Sequence, residues 1–399
     1  MCSQVISRNI DKEGTMRTSK HTTRGFSLIE MMIALALGAM VIGIAAKGYS
    51  DAVNGSFITS QRSELQQDFR AATNLMLKDI SLAGAGIPSG GVALATGAVN
   101  PTYGCDQTGK CYLGPNNNNA VAFPTQAGTP FLYGIIPGYQ QGITLNAAQG
   151  PTDIITIVYS DNVFLLNCYG VNFTDNTGTD VNFILPNPLP ASCVVPPPLA
   201  APQKVTDTAV GLTAGDLVLF TGKNAAGNTA YAIAEVSSTA NAASPYDVKF
   251  NNADVLQLNQ TAALSNTLVQ LDTASGGGVP LANTVASRIY MITYYLDLSP
   301  YDGVTPRLMR QVNGHPPIPV AENVAFLQFT YDTYNTSGAL LQEAGDAGAS
   351  VGVSPSLIRK INITHLTMRS QLSGAKGYQG MDLQTSVSAR NLSFQNRYQ

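Results

Sequence analysis

The sequence predicts an α+β protein, with one long N-terminal helix followed by a largely antiparallel, β-rich globular part. Three observations carry that prediction. Phe26 to Ala46 is an apolar stretch interrupted by a single charge, Glu30. Beyond it, to about Ala83, apolar residues recur every three or four positions, the period of a helix with one buried face. From about residue 150, short β-prone runs follow one another with turn residues between them, and strands joined in this way pair antiparallel.

Composition sets the outer bounds. The chain has 399 residues, 44% of them hydrophobic, enough for one large domain or two small ones. Only 12% are charged, well below the globular norm of about 25%. Thr, Asn, Gln, Ser and Gly carry the surface instead, which suits an exported protein. The formal net charge is -3, and there is no basic face. Nucleic acid therefore gains no electrostatic support as a partner.

The N-terminal helix is justified first by length. Phe26–Ala46 at about 1.5 Å per residue spans roughly 30 Å, the thickness of a bilayer core. Arg8, Lys12, Arg17, Lys20 and Arg24 precede it against Asp11 and Glu13, which predicts a cytoplasmic N-terminus. An ordinary secretory signal fits poorly, because the run exceeds an h-region and continues through the small pair Ala45-Ala46. An ordinary anchor fits poorly too. A carboxylate such as Glu30 within the apolar run costs about 2.5–3.5 kcal/mol and is usually functional. Its bland reading is a side chain that snorkels to the interface.

The junction Arg24-Gly25-Phe26-Ser27-Leu28-Ile29-Glu30 resembles the signal of type IV prepilins and type II secretion pseudopilins. The resemblance implies a leader of residues 1–25 and cleavage between Gly25 and Phe26 by a prepilin peptidase. It also implies methylation of the Phe26 amine and retention of Glu30. In that family the carboxylate pairs with the N-terminal ammonium of an adjacent subunit, and such a buried pair sets register. Gly25 suits the cut because it gives close backbone access. The implied place is the inner membrane as a single span, with the globular part exported, and later the pilus or cell surface.

The second half of the helix carries Ile58, Leu65, Phe69, Ala72, Met76, Ile80 and Ala83 as its apolar stripe. Arg62, Glu64, Asp68, Arg70 and Lys78 occupy other faces, and Gly84, Gly86 and Pro88 end it. The segment thus runs over residues 26–83. Leu65 to Gly86 is similar to the PilW family of minor pilins, through Lys78-Asp79-Ile80 and Leu82-Ala83-Gly84, with Ser81 in place of the usual basic residue. The C-terminal half resembles the same family through the stretches ITYYLDLSPYDGVTPRLMRQVNG, ENVAFLQFTYDTY, IRKINITHLTMRSQ and TSVSARNLSFQNR. The middle carries no such resemblance.

Residues 84–399 form the expected globular domain, with loop-rich insertions at 85–150 and 185–210. The first insertion is rich in Gly, Asn, Pro and Ala and reads as loops with short strands. Strands are expected at Asp153–Leu166, Asp216–Thr221, Ala230–Val236, Val248–Asn251 and Arg288–Leu296. Further ones are expected at Arg307–Val312, Val324–Thr333, Ile358–Met368 and Leu383–Ala389.

Cys2 lies in the leader, and Cys105, Cys111, Cys168 and Cys193 remain. An even count in loop-like sequence reads as two disulfides in an oxidising compartment. Four cysteines allow three connectivities. Cys105–Cys111 with Cys168–Cys193 closes the shortest loops, against an alternative of four free thiols. Zinc fits neither spacing.

Catalytic patterns fail on context. Gly348-Ala349-Ser350-Val351-Gly352 lacks the strand and helix of a nucleophile elbow. His315 lies in GHPPIP and His365 in a strand. Gly84-x-Gly86 follows a helix and is no dinucleotide site. Asp332 and Asp346 read as acids on solvated loops. Tyr290, Tyr294, Tyr295, Phe326, Phe329, Tyr331 and Tyr334 read as core and cross-strand packing. No cofactor and no enzymatic activity are expected. The PilW resemblance implies a minor pilin that primes or caps assembly, with other minor pilins, the major pilin and a tip adhesin as partners. The alternatives are a J-type pseudopilin of type II secretion and a pilus-borne adhesin binding through residues 85–285.

Overall fold

The computed structural model describes residues 25–97, 99–174, 177–191, 193–195, 201–252, 254–261, 265–275, 284–334, 339–344, 354–370 and 377–393. It divides into two units, one ending at Phe57 and one beginning at Ile58. Helix α1 covers Leu28–Ser81. Of the first unit it supplies the stretch to Phe57, where most large apolar side chains are exposed.

In the second unit α1 buries Leu65, Phe69, Ala72, Met76 and Ile80, and Ile58 is half-buried. The expected stripe is therefore the packed face. The helix stops because Leu82 and Ala83 turn back onto the carbonyls of Asp79 and Ile80. Gly84 then takes a φ of +75°, and a Cβ there would lie 2.6 Å from the Leu392 side chain. Only glycine suits both the left-handed backbone and the close approach.

Residues 85–150 hold short strands. They are β1 (Val92–Ala93), β2 (Thr102–Tyr103), β3 (Val121–Ala122), β4 (Thr125–Gln126), β5 (Thr129–Leu132) and β6 (Ile135–Gly138). Strand β7 (Ile154–Ser160) is shorter than expected. Asp161 ends it by accepting the N–H of Val163 at 2.8 Å and turning the chain. Two strands follow that the expected set omits, β8 (Gly170–Phe173) and β9 (Asp180–Ile184). Then come β10 (Leu217–Lys223), β11 (Thr229–Glu235), β12 (Ser238–Ala240), β13 (Tyr246–Lys249) and a short helix α2 (Leu268–Ser275). The C-terminal half holds β14 (Val285–Leu298), β15 (Pro306–Val312), β16 (Ile318–Glu322), β17 (Val324–Tyr334), β18 (Leu340–Ala344), β19 (Ile358–Arg369), β20 (Gly380–Ser388) and α3 (Arg390–Ser393).

Among the described residues every strand pair is antiparallel. The largest sheet runs β11-β10-β14-β15-β16, with β7 on β14 and β6 on β7. A second sheet runs β18-β17-β19-β20 and a third β12-β13-β9-β8. One core joins α1 to β7, β14, β15, β17 and β19. Another is built by residues from Phe164 to Ala286 around the third sheet. This is an α+β, pilin-like arrangement of a long apolar helix followed by an antiparallel β-domain.

Candidate functional site

The N-terminal segment is built on a helix start. Ser27 precedes α1, and its Oγ accepts the N–H of Ile29 at 3.2 Å. The N–H of Ser27 in turn donates to Glu30 Oε2 at 3.0 Å. This is a capping box, in which two donors at the helix end are satisfied reciprocally. Glu30 thus has a local partner in its own chain. The Ser27-x-x-Glu30 spacing carries this signal in the sequence.

Gly25 has open space where a Cβ would stand, and Phe26 is 88% exposed. Leu28, Ile29, Met31, Met32, Leu35 and Met40 are exposed along the helix that follows. α1 contains a span long and apolar enough to cross a membrane, with none of that window buried. Apolar surface of this extent is stable only in lipid or against other apolar helices.

Comparison with known families supplies the deciding observation. Residues 20–46 match the family model of the prokaryotic N-terminal methylation motif. The N-terminus is of the prepilin type. The match supports a type IV pilin-like or pseudopilin-like protein, a structural rather than an enzymatic class. It also implies handling by a prepilin peptidase and assembly with other pilins, and the apolar helix is consistent with membrane anchoring. No curated protein and no solved structure matches the chain. Residues 1–24, including Cys2, lie outside the described residues.

In the second unit both disulfides take the expected pairing, Cys105–Cys111 and Cys168–Cys193. Cys105 and Cys111 face each other as an isolated antiparallel bridge. Cys168 sits in the second core, with Cys193 packed against it.

Asp79 has a role that its sequence motif alone did not reveal. It is buried on α1 and accepts from Arg310 Nε at 2.8 Å and from the Tyr294 hydroxyl at 2.7 Å. Arg310 comes from β15 and Tyr294 from β14, so one carboxylate ties the helix to two strands. Burial, and then the Asp79 charge, push the Tyr294 hydroxyl above its ordinary range, so it remains a donor.

A second buried pair joins Arg288 of β14 to Asp161. Arg288 also donates to the carbonyl of Val210 at 2.9 Å and lies over the Phe164 ring. Burial opposes the Asp161 charge, but the Val163 N–H and the Arg288 guanidinium hold that carboxyl below its usual range.

Tyr294, Tyr295, Phe326, Phe329 and Tyr331 are buried, as packing predicts. Asp332 corrects an expectation. It is buried on β17 beside Asn362 and Lys360, not on a solvated loop. His315 contacts Asp216 and His365 contacts Asp382. The Gly348–Gly352 stretch and Asp346 lie outside the described residues.

Proposed function

We propose that the chain is a minor pilin of the PilW kind, a non-enzymatic component that primes or caps a type IV pilus. The single observation carrying this reading is the prepilin-type motif at residues 20–46, set at the head of an exposed apolar helix. Prepilin peptidase cuts between Gly25 and Phe26, and the Phe26 amine is methylated. The chain waits in the inner membrane, N-terminus cytoplasmic, with the β-rich domain exported. Two disulfides agree with an oxidising exterior. It then joins other minor pilins and the major pilin, with a tip adhesin as a further partner.

Removing the leader takes away Arg8, Lys12, Arg17, Lys20 and Arg24 against only Asp11 and Glu13, so the remaining chain is more acidic than the whole. The bulk of that part favours a component used in few copies over a subunit repeated thousands of times. The J-type pseudopilin reading shares the architecture, and gene neighbourhood separates the two. The adhesin reading rests on residues 85–285, and a ligand screen of the full chain tests it.

The experiment for the main reading is mass analysis of the N-terminal peptide from sheared pili. A chain beginning with methylated Phe26 is expected. A chain beginning after Ala46 would favour conventional signal cleavage and sink the proposal.

A further inference from the structure

Strand β20 is the outer strand of its sheet and pairs only with β19. Just before it, the Ser370 N–H donates to the Gln379 carbonyl at 2.7 Å. Just after it, the Ala389 N–H donates to the Arg359 carbonyl at 3.0 Å. The backbone groups of successive strand residues point to opposite sides. The register shift of this pair falls in β19, between Ile363 and Leu366, so β20 alternates without interruption. Gln379, Met381, Leu383, Thr385, Val387 and Ala389 therefore face β19. Gly380, Asp382, Gln384, Ser386 and Ser388 turn their N–H and C=O groups to the open side, where the described residues offer them no backbone partner.

The other sheet edges among the described residues are blunted. β16 carries Pro319 and β6 carries Pro137, neither of which has an N–H to offer. β8, β12 and β18 are short. At the end of β11, Asn259 accepts the Glu235 N–H at 3.0 Å and donates to its carbonyl at 2.7 Å. β20 has nine residues with no proline, lysine or arginine. A long bare edge of this kind is a template for another strand. Its side chains suit one as well. Met381, Leu383 and Val387 pack against the main core yet stay half-buried, so an added strand would cover them. Asp382, the one charge on β20, is turned to His365 and Thr367 on the other face.

We propose that the open edge of β20 takes up an extended segment of another pilin subunit, lengthening this sheet by one strand across the interface. The proposal rests on the pilin-like reading of the chain. The incoming segment alternates, with apolar side chains over Met381, Leu383 and Val387 and no acid opposite Asp382. Main-chain bonds supply the affinity and the alternation supplies the selectivity.

A second copy of this chain does not fit the edge. Arg62 donates to Gln379 at 2.8 Å, and Gly84 packs against Leu392. The second half of α1 and β20 therefore run the same way. A symmetric antiparallel pair of β20 strands would make the two α1 helices enter from opposite ends, which two chains anchored in one membrane cannot do. A symmetric parallel pair sets each residue opposite itself, whereas a parallel ladder bonds a residue to those flanking its opposite number. A different subunit is under neither constraint.

The test uses the full chain in pilus-forming cells, with sheared pili captured through this subunit. Gln384→Pro and Ser386→Pro each remove an outward N–H and spare the bonds to β19, so melting of the purified chain in detergent should be unchanged. Thr385→Pro removes a bond to β19 and should lower it. The Gln384→Pro, Ser386→Pro double variant should reduce the other pilins that co-purify about tenfold or more. Ser386→Cys carrying a benzophenone label should crosslink to a strand segment of a different prepilin-type chain, identified by peptide mass. Undiminished co-purification of the double variant overturns the proposal, as does a crosslink to a second copy of this chain or to none. If the proline variants melt early, the crosslink decides. The N-terminal peptide of the same sample separates the two readings. Without methylated Phe26 the pilin reading fails and takes this proposal with it. With methylated Phe26 and undiminished co-purification, only the edge of β20 is misassigned.

Discussion

The two halves of α1 share a backbone and differ in what surrounds it. Met40, in the first half, is 65% exposed, whereas Met76, in the second, is fully buried. Ile33 and Ile80 make the same contrast. Helix formation is thus common to both halves, but only the second gains its stability from burial within the chain. The apolar surface of the first half is a demand for another solvent, lipid or a neighbouring helix. The polar devices differ as well. The first half has a capping box at its end, and the second has a buried carboxylate pinned to the sheet.

The largest expected effect comes from placing a charge at the two methionines. Met76→Asp buries an unpaired carboxylate in the main core and should cost about 4–5 kcal/mol or more. Met40→Asp should leave thermal unfolding of the β-domain unchanged and weaken membrane insertion by about 2.5–3.5 kcal/mol. Melting curves of the full chain in detergent, with membrane fractionation, check both. Equal melting of the two variants would break the comparison.

Next is Asp79→Ala, which strands Arg310 and the Tyr294 hydroxyl in the core. A loss of about 3–5 kcal/mol is expected. Asp79→Leu with Arg310→Met should recover most of it, because replacing both partners removes the unpaired charge. Denaturant unfolding of the two variants measures the difference. A double variant as unstable as the single one would mean that the pair contributes packing and not charge.

Much of this contrast is legible in the sequence. The stripe from Leu65 to Ala83 is the buried face, and the nine expected strands each have a counterpart because their β-branched and aromatic runs are bounded by turns. What escaped was of two kinds. Strands β8 and β9 carry a readable signal, Val-Asn-Phe at 171–173 and again at 181–183. Their register sets Val171 opposite Phe183 and Phe173 opposite Val181. The capping box was equally readable. The partners of Asp79 and Asp161 were not, because each lies on an element far away in sequence. Local periodicity has no information about such pairs.

The disulfides give a smaller effect, confined to the second half of the comparison. Replacing Cys168 and Cys193 by Ser should cost about 3.5 kcal/mol, and replacing Cys105 and Cys111 about 2 kcal/mol, since the latter loop is shorter. Helical circular dichroism of the apolar first half should survive either change in detergent. Free thiols at these positions in the purified chain, shown by non-reducing peptide mapping, would contradict the assignment.

The smallest effect separates two uses of Glu30. In the chain itself the carboxylate accepts the Ser27 N–H, and in the proposed filament it pairs with a neighbour's ammonium. Glutamine can complete a capping box as well as glutamate can. Glu30→Gln should therefore keep amide protection at the start of α1, whereas Glu30→Ala should lose about 1 kcal/mol there. Both variants lack the charge, so both should fail to co-purify with other pilins while remaining inserted and processed. That failure reflects a buried ammonium left without its partner, a larger penalty that arises only on assembly. Hydrogen exchange at Ile29 and Met31 reads the first effect, and co-purification reads the second. If Glu30→Gln assembles normally and Glu30→Ala does not, the residue acts through the helix cap alone. If both assemble, the carboxylate is merely tolerated at the membrane interface, and the first half of α1 differs from the second in its surroundings only.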